Sequence, residues 1–147
     1  MSHFIREVHA LEHADTIRLL NSQDALFPPL MDRHLKNGFW WLAFDEYKTP
    51  IAFAGMVSNH PFQSCWYLKR CYVAPWARGH GLQRKLLRLR EVKAAELGIR
   101  QLVGECPAGS ASEANFKHAE YELIRPEQPW GAPGSVYFSK RIRPRIS

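Results

Sequence analysis

A chain of 147 residues can bury one core but is too short for two ordinary domains and a linker, so a single domain over 1–147 is expected. Its 46% hydrophobic and 23% charged residues exclude a low-complexity or disordered tract. No apolar run nears the ~20 residues that cross a bilayer, and "MSHFIREVHALEHAD" lacks a secretory pattern, so a cytoplasmic chain without membrane association is expected. The formal charge of +6, clustered in "RGHGLQRKLLRLREVK" and "KRIRPR", favours anionic ligands. Charge alone does not choose between nucleic acid, a phosphorylated cofactor and a solvated face. Three cysteines without a CxxC pair and seven histidines without HExxH give no support for a disulfide framework or a metal site.

In chain order, "HFIREVHAL" reads as a first strand, and "EHADTIRLLNSQDAL" as a helix with Ile17, Leu19 and Leu20 on its apolar stripe. A short second helix in "FPPLMDRHLKNG" would be entered through Pro28 and Pro29 and stopped at Gly38. "FWWLAFDEY" and "IAFAGMVSN" flank "KTP" as an antiparallel hairpin, and "CWYLKRCYVAP" is a further strand closed by Pro75. From Leu82, the residues Leu82, Leu86, Leu89 and Val92 recur at helical spacing, and this helix ends near Gly98. "IRQLVGEC" is a buried strand, "SASEANFKHAEYE" a short helix with a serine N-cap, and "VYFSKRI" the last strand. The fold class is therefore α/β: a mixed, mostly antiparallel sheet with a central parallel β-α-β unit and helices on both faces.

The stretch "VAPWARGHGLQRKLL" sits where the third strand of this series passes into the long helix. The first turn of a helix carries N–H groups without internal partners, and its dipole favours negative charge. Gly79 and Gly81 permit unusual dihedrals and close approach, and Arg78 adds a cation, so the turn suits a pyrophosphate. A Walker-type loop is excluded, because "LQRKLL" after Gly81 offers no Ser or Thr for magnesium. A dinucleotide fingerprint lacks its third glycine.

"YVAPWARGHGLQRKLL" resembles the acyl-CoA-binding signature of the GCN5-related N-acetyltransferases (GNAT), Arg/Gln-x-x-Gly-x-Gly/Ala after a strand ending in Val-x-Pro. Val73, Pro75, Arg78 and Gly81 fit, whereas Gln83 stands where glycine or alanine is usual. The order of elements is also the one this family uses. The resemblance implies acetyl-CoA as co-substrate and a bulged strand that splays from its parallel neighbour. It implies that Cys71, Tyr72 and Val73 pair with the pantetheine arm, and that Arg78, Gly79, His80, Gly81, Leu82 and Gln83 cradle the diphosphate. Arg84, with Lys85 and Arg88, would face the remaining phosphate.

Direct acetyl transfer needs the amine deprotonated, the carbonyl polarised and the thiolate protonated. The acid that many relatives carry on the strand before the loop is absent from "YLKRCYV", and Glu105 at the end of the next strand is the substitute base. Alignment of "NFKHAEYELIRP" to the segment of the thiolate-protonating tyrosine puts Lys117 at that tyrosine's place and Tyr121 at a following glycine's, which leaves Tyr121 or His118 as the acid. Trp40, Trp41, Phe53, Phe62, Trp66 and the "PWGAPG" loop are core by default and could border an amine pocket. The expected function is acetyl-CoA-dependent N-acetylation of a small-molecule or peptide amine. The alternatives are a non-catalytic acyl-CoA or nucleic-acid binding module and a GNAT-like nucleic-acid-modifying transferase. Nucleic acid is not the expected partner, and a homodimer stays open.

Overall fold

The computed structural model describes residues 2–58 and 65–144. Seven strands form one sheet: β1 (His3–Val8), β2 (Gly38–Asp45), β3 (Pro50–Ser58), β4 (Cys65–Val73), β5 (Gln101–Pro107), β6 (Glu122–Ile124) and β7 (Ser135–Arg141). Their spatial order is β1-β2-β3-β4-β5-β7-β6, antiparallel throughout except for the parallel pair β4–β5. Four α-helices complete the chain: α1 (Ala14–Ser22), α2 (Asp32–Lys36), α3 (Leu82–Glu96) and α4 (Ala111–His118). The mixed sheet, its central β-α-β unit and the helices on both faces are as the sequence pattern requires. All three cysteines are free thiols, and among the described residues no helix is long and apolar enough to cross a membrane.

Each face of the sheet has its own core. On one face, Leu82, Leu86 and Leu87 of α3 and Phe116 of α4 pack with Ala54, Met56, Leu68, Leu102 and Phe138. On the other, Ile17 and Leu20 of α1 and Leu35 of α2 pack with Trp40, Leu42, Phe53 and Tyr72. Helices on both sides explain why β3 is an unbroken apolar run rather than an alternating one. Ser110 caps α4 as expected, accepting from the Glu113 N–H at 3.3 Å.

Four details differ from the sequence pattern. In α1 the buried stripe is Ile17, Leu20 and Asn21, while Leu19 is 64% exposed. Asn21 is buried because its amide donates to Pro28 O at 3.0 Å and accepts from Arg70. The proline pair lies in the connection ahead of α2, and Gly38 opens β2. The short edge strand β6 was not anticipated, being only three residues of mostly exposed side chains.

The fourth difference concerns α3. Its buried face runs through Leu82, Leu86, Leu87, Arg90, Glu91 and Ala94, and Leu89 turns outward. Arg90 donates to three backbone carbonyls: Leu86 O at 3.2 Å, Gly55 O at 3.2 Å and Arg70 O at 3.4 Å. Glu91 takes Lys140 as its partner at 3.3 Å. A buried cation is tolerated only when its donors are satisfied, so these carbonyls fix where α3 sits on β3 and β4. Replacing Arg90 by alanine should therefore destabilise the fold by about 2–4 kcal/mol, by loss of charged hydrogen bonds and orphaned carbonyls. Urea unfolding of the variant against the parent chain measures it, and a change under 1 kcal/mol would contradict this role.

Candidate active site

The parallel pairing of β4 with β5 covers only Cys65, Tyr67 and the residue between them, opposite Gln101 to Val103. Beyond that point the two strands part. Residues Gly104 to Pro107 of β5 pair with β7 alone, and Leu68 to Val73 of β4 pair with β3 alone. At the parting, β4 carries a bulge: Ala54 faces Cys71 and Gly55 faces Lys69, leaving Arg70 as the extra residue at φ +61°. The Ala74 N–H bonds to Ile51 O at 2.8 Å. By the antiparallel alternation, the backbone groups of Val73 and Cys71 then turn to the open side, and those of Tyr72 to β3.

Next to this gap lies the glycine turn. Gly79 and Gly81 stand at φ +82° and +76°, Gly81 as the N-cap of α3, and a Cβ on either would meet nothing within 4 Å. Glycine is required here by the dihedral, and the space above the turn is open. Among the described residues, the N–H groups from Gly79 to Gln83 have no backbone acceptor. Arg78 folds back to donate to Val73 O at 3.1 Å, and His80 is exposed. The turn is thus a set of free donors at a helix N-terminus beside a cation, which fits a diphosphate.

The non-consensus residue Gln83 is engaged with α4. It donates to Ser112 Oγ at 2.6 Å and accepts from Asn115 Nδ2 at 2.7 Å, and Arg84 Nε donates to Asn115 Oδ1 at 3.0 Å. These bonds bridge the first turns of α3 and α4 over the gap. Leu82 is buried in the core below. Lys85 lies 2.9 Å from His3, and Arg88 lies 3.8 Å from Glu91.

On the opposite face of the sheet, Glu105 stands two residues past the last parallel pair, at the lip of the gap. It accepts from the Tyr67 hydroxyl at 2.7 Å. A Cβ on Gly131 would fall 1.6 Å from its other carboxylate oxygen, so the "PWGAPG" loop lies directly on Glu105. Trp130 of that loop sits edge-on to Tyr67 (6.2 Å) and to Tyr137 (4.6 Å), whose hydroxyl accepts from the Gly131 N–H at 2.9 Å. Burial, together with the Glu105 carboxylate that it bonds, pushes the Tyr67 phenol well above its usual value, so it remains a donor to Glu105. Tyr67 and Tyr137 escaped the sequence reading. The signal available was register, since both share with Glu105 the face opposite Leu68 and Phe138.

The other residues singled out from sequence lie elsewhere. Tyr121 is buried beside Phe116 and Lys140, and its phenol is pushed up by burial and by Glu91. Glu120, just after α4, stands in the left-handed region at φ +67°. Phe116 packs on β5, where a Cβ on Gly104 would lie 2.6 Å from its ring. His118 is exposed at the end of α4. Trp40 and Phe53 stack inside the α1/α2 core, Trp41 is buried in the other core, and Trp66 stacks on Phe39. Phe62 lies outside the described residues. Among the described residues, no group of three or more His, Cys, Asp or Glu side chains gathers to hold a metal ion.

This geometry can be set against known proteins. No curated protein matches the sequence significantly. Among solved structures, the phosphinothricin acetyltransferase (Pat) of Sinorhizobium meliloti, in complex with AcCoA, is similar with TM-score 0.78 and 18% identity over 97% of this chain and 90% of that one. The ribosomal-protein-alanine N-acetyltransferase of Brucella melitensis gives TM-score 0.73 and 22% identity, covering 94% and 99%. An IAA acetyltransferase from Bacillus cereus gives 0.71 and 15%, covering 95% and 99%. At such identities the likeness speaks for the fold alone. A family profile described as "Acetyltransferase (GNAT) family" matches residues 6–119, most of the chain. The glycine turn, the parted strands and this match lead to one conclusion: the chain belongs to the GNAT acetyltransferase family and is an N-acetyltransferase enzyme.

Proposed function

We propose that this protein, as one domain over residues 1–147, transfers an acetyl group from acetyl-CoA to an amine by direct attack on the thioester. The observation that carries the reading is the junction of an open strand gap with a turn of free N–H donors. The AcCoA bound to the similar S. meliloti enzyme supports the choice of donor. Cys71 and Val73, flanking Tyr72, offer backbone groups to a pantetheine arm. Arg78 and the N–H groups of Gly79, His80, Gly81, Leu82 and Gln83 receive the diphosphate, and Arg84, Lys85 and Arg88 attract the outer phosphate. Acetyl-CoA supplies an activated thioester carbonyl.

Glu105 accepts the proton of the incoming amine, and the Tyr67 hydroxyl holds the carboxylate in place. Tyr121 is buried in the core and His118 is exposed at the end of α4, so water is assigned the return of the proton to the thiolate. Trp130 and the "PWGAPG" loop form the wall on the amine's side.

Thermal melting tests the donor. Acetyl-CoA and CoA should each raise the melting temperature, by the equivalent of ~2.7 kcal/mol at 100 times Kd, whereas ATP and a short DNA duplex should not. A shift with DNA alone would replace this reading by the binding-module alternative. Glu105→Gln should leave that acetyl-CoA shift intact and lower the rate of CoA release with a primary-amine panel by about 10²-fold. An unchanged rate removes Glu105 as base. Gln83→Ala removes bonds worth about 1 kcal/mol each across the gap. It should tighten acetyl-CoA binding several-fold by calorimetry, and weaker binding would show instead that Gln83 helps hold the ligand.

A further inference from the structure

Around the lip of the gap, on the face that carries Glu105, several cations converge, and among the described residues none of Lys69, Arg70 and Arg33 is closed into an ion pair. Lys69 follows Tyr67 by two residues on β4 and so shares its face, with its ammonium 5.9 Å from the Tyr67 ring centroid. Arg70, thrown out of the ladder by the bulge, donates to Asn21 Oδ1 at 3.3 Å and Pro28 O at 3.2 Å, and lies 5.1 Å from the Phe27 ring. Arg33 and His34 come from α2, and the His34 Nδ1 accepts from the Met31 N–H at 2.9 Å. The neighbours reinforce one another. Lys69 is lowered by burial and by Arg70 and Arg33 against the opposing pull of Glu105, and His34 by burial and by Lys69, Arg33 and Arg70; Glu105 and Asp24 also act on Arg70.

The acids facing this group are few. Glu105 is bonded to Tyr67, and Asp24 accepts from the Leu26 N–H at 2.9 Å. Among the described residues no salt bridge reaches Lys69, Arg70 or Arg33; the nearby pair Arg18–Asp32 is already closed on itself. Lys69 and Arg70 are both half-buried. Partly desolvated cations that outnumber the carboxylates facing them are costly for a fold, and an anion delivered by a ligand offsets that cost. An arginine whose donors are met only by neutral oxygens keeps further N–H groups for a carboxylate.

From this juxtaposition we propose that the acceptor is an amine that also bears a carboxylate, with an aromatic or apolar body. Glu105 receives the amine, Lys69 and Arg70 receive the carboxylate, and Trp130, Tyr67 and Tyr137 pack against the body. This deepens the reading of Glu105 as base and rests on it. A polyamine or any other purely cationic acceptor is disfavoured by the same charges.

Calorimetric titration with three probes that share a phenyl-ethyl body tests the proposal: phenylalanine, hydrocinnamate and phenethylamine. Phenylalanine and hydrocinnamate should bind at least about tenfold more tightly than phenethylamine, a difference of ~1.4 kcal/mol. Lys69→Met should erase most of that preference while leaving the melting temperature unchanged. Arg70→Lys, which keeps the charge but loses the fork, should reduce it in part. Equal or tighter binding of phenethylamine, or no binding of either carboxylate at about 10 mM, overturns the proposal. The acetyl-CoA melting shift is read on the same samples. A normal shift with no carboxylate preference sinks the acceptor class alone, whereas a missing shift with the preference intact sinks acetyl transfer and keeps the anion subsite.

Discussion

The site in this protein depends on β4 leaving β5 after three residue pairs. Two parallel strands of this length would otherwise pair along their whole course, and a fully paired ladder leaves no backbone free to meet a ligand. The departure is fixed from both sides. Arg70 takes a left-handed backbone at the bulge, a conformation that costs a non-glycine residue about 1–2 kcal/mol. Arg90 reaches up from α3 to bond the carbonyl of Arg70, the residue left unpaired by the bulge, and that of Gly55, which stands at the register shift on β3. The strain is held by a buried cation, and the cation is satisfied by the carbonyls that the strain exposes.

The parting also divides the chemistry between the two faces. On the α3/α4 side the gap meets the glycine turn, the free N–H groups and the basic first turns of α3, all suited to an anionic donor. On the other side α1 and α2 cover β2 and β3 but stop short of β5 and β7, where the loop carrying Trp130 closes down on Glu105. A donor and an acceptor can therefore approach one point from opposite faces without competing for surface. The bulge serves both, since it opens the gap and turns Arg70 towards the acceptor side.

Much of this was legible in the sequence because periodicity and punctuation report on backbone. The strand runs, the glycine turn, the serine cap and the parallel crossover all follow from local pattern. What stayed hidden depended on the partner across space. The face of α3 was misjudged because two charged residues, Arg90 and Glu91, occupy its buried side, and only their carbonyl and lysine partners make that acceptable. Leu89 looked like core by spacing and is exposed at 36%. Tyr121 is an acid candidate by alignment alone, and its burial beside Phe116 and Lys140 depends on the partners that fold against it. Glu105 could be placed at the gap from topology, whereas its partners Tyr67, Tyr137 and Gly131 come from three other segments.

Gln83 shows how a departure from a motif can be absorbed by the fold. A glycine or alanine at this place keeps the approach to the turn clear, and a glutamine directed at the ligand would crowd it. Here the side chain is drawn sideways by Ser112 and Asn115, so the backbone N–H groups of the turn keep open space in front of them. The same bonds tie α3 to α4 across the gap, and Arg84 adds to them through Asn115. Both helices must hold their spacing for the bridge to form, and a ligand entering between them must either pass beneath it or break it. The departure thus leaves the N–H groups of the turn open and ties α3 to α4.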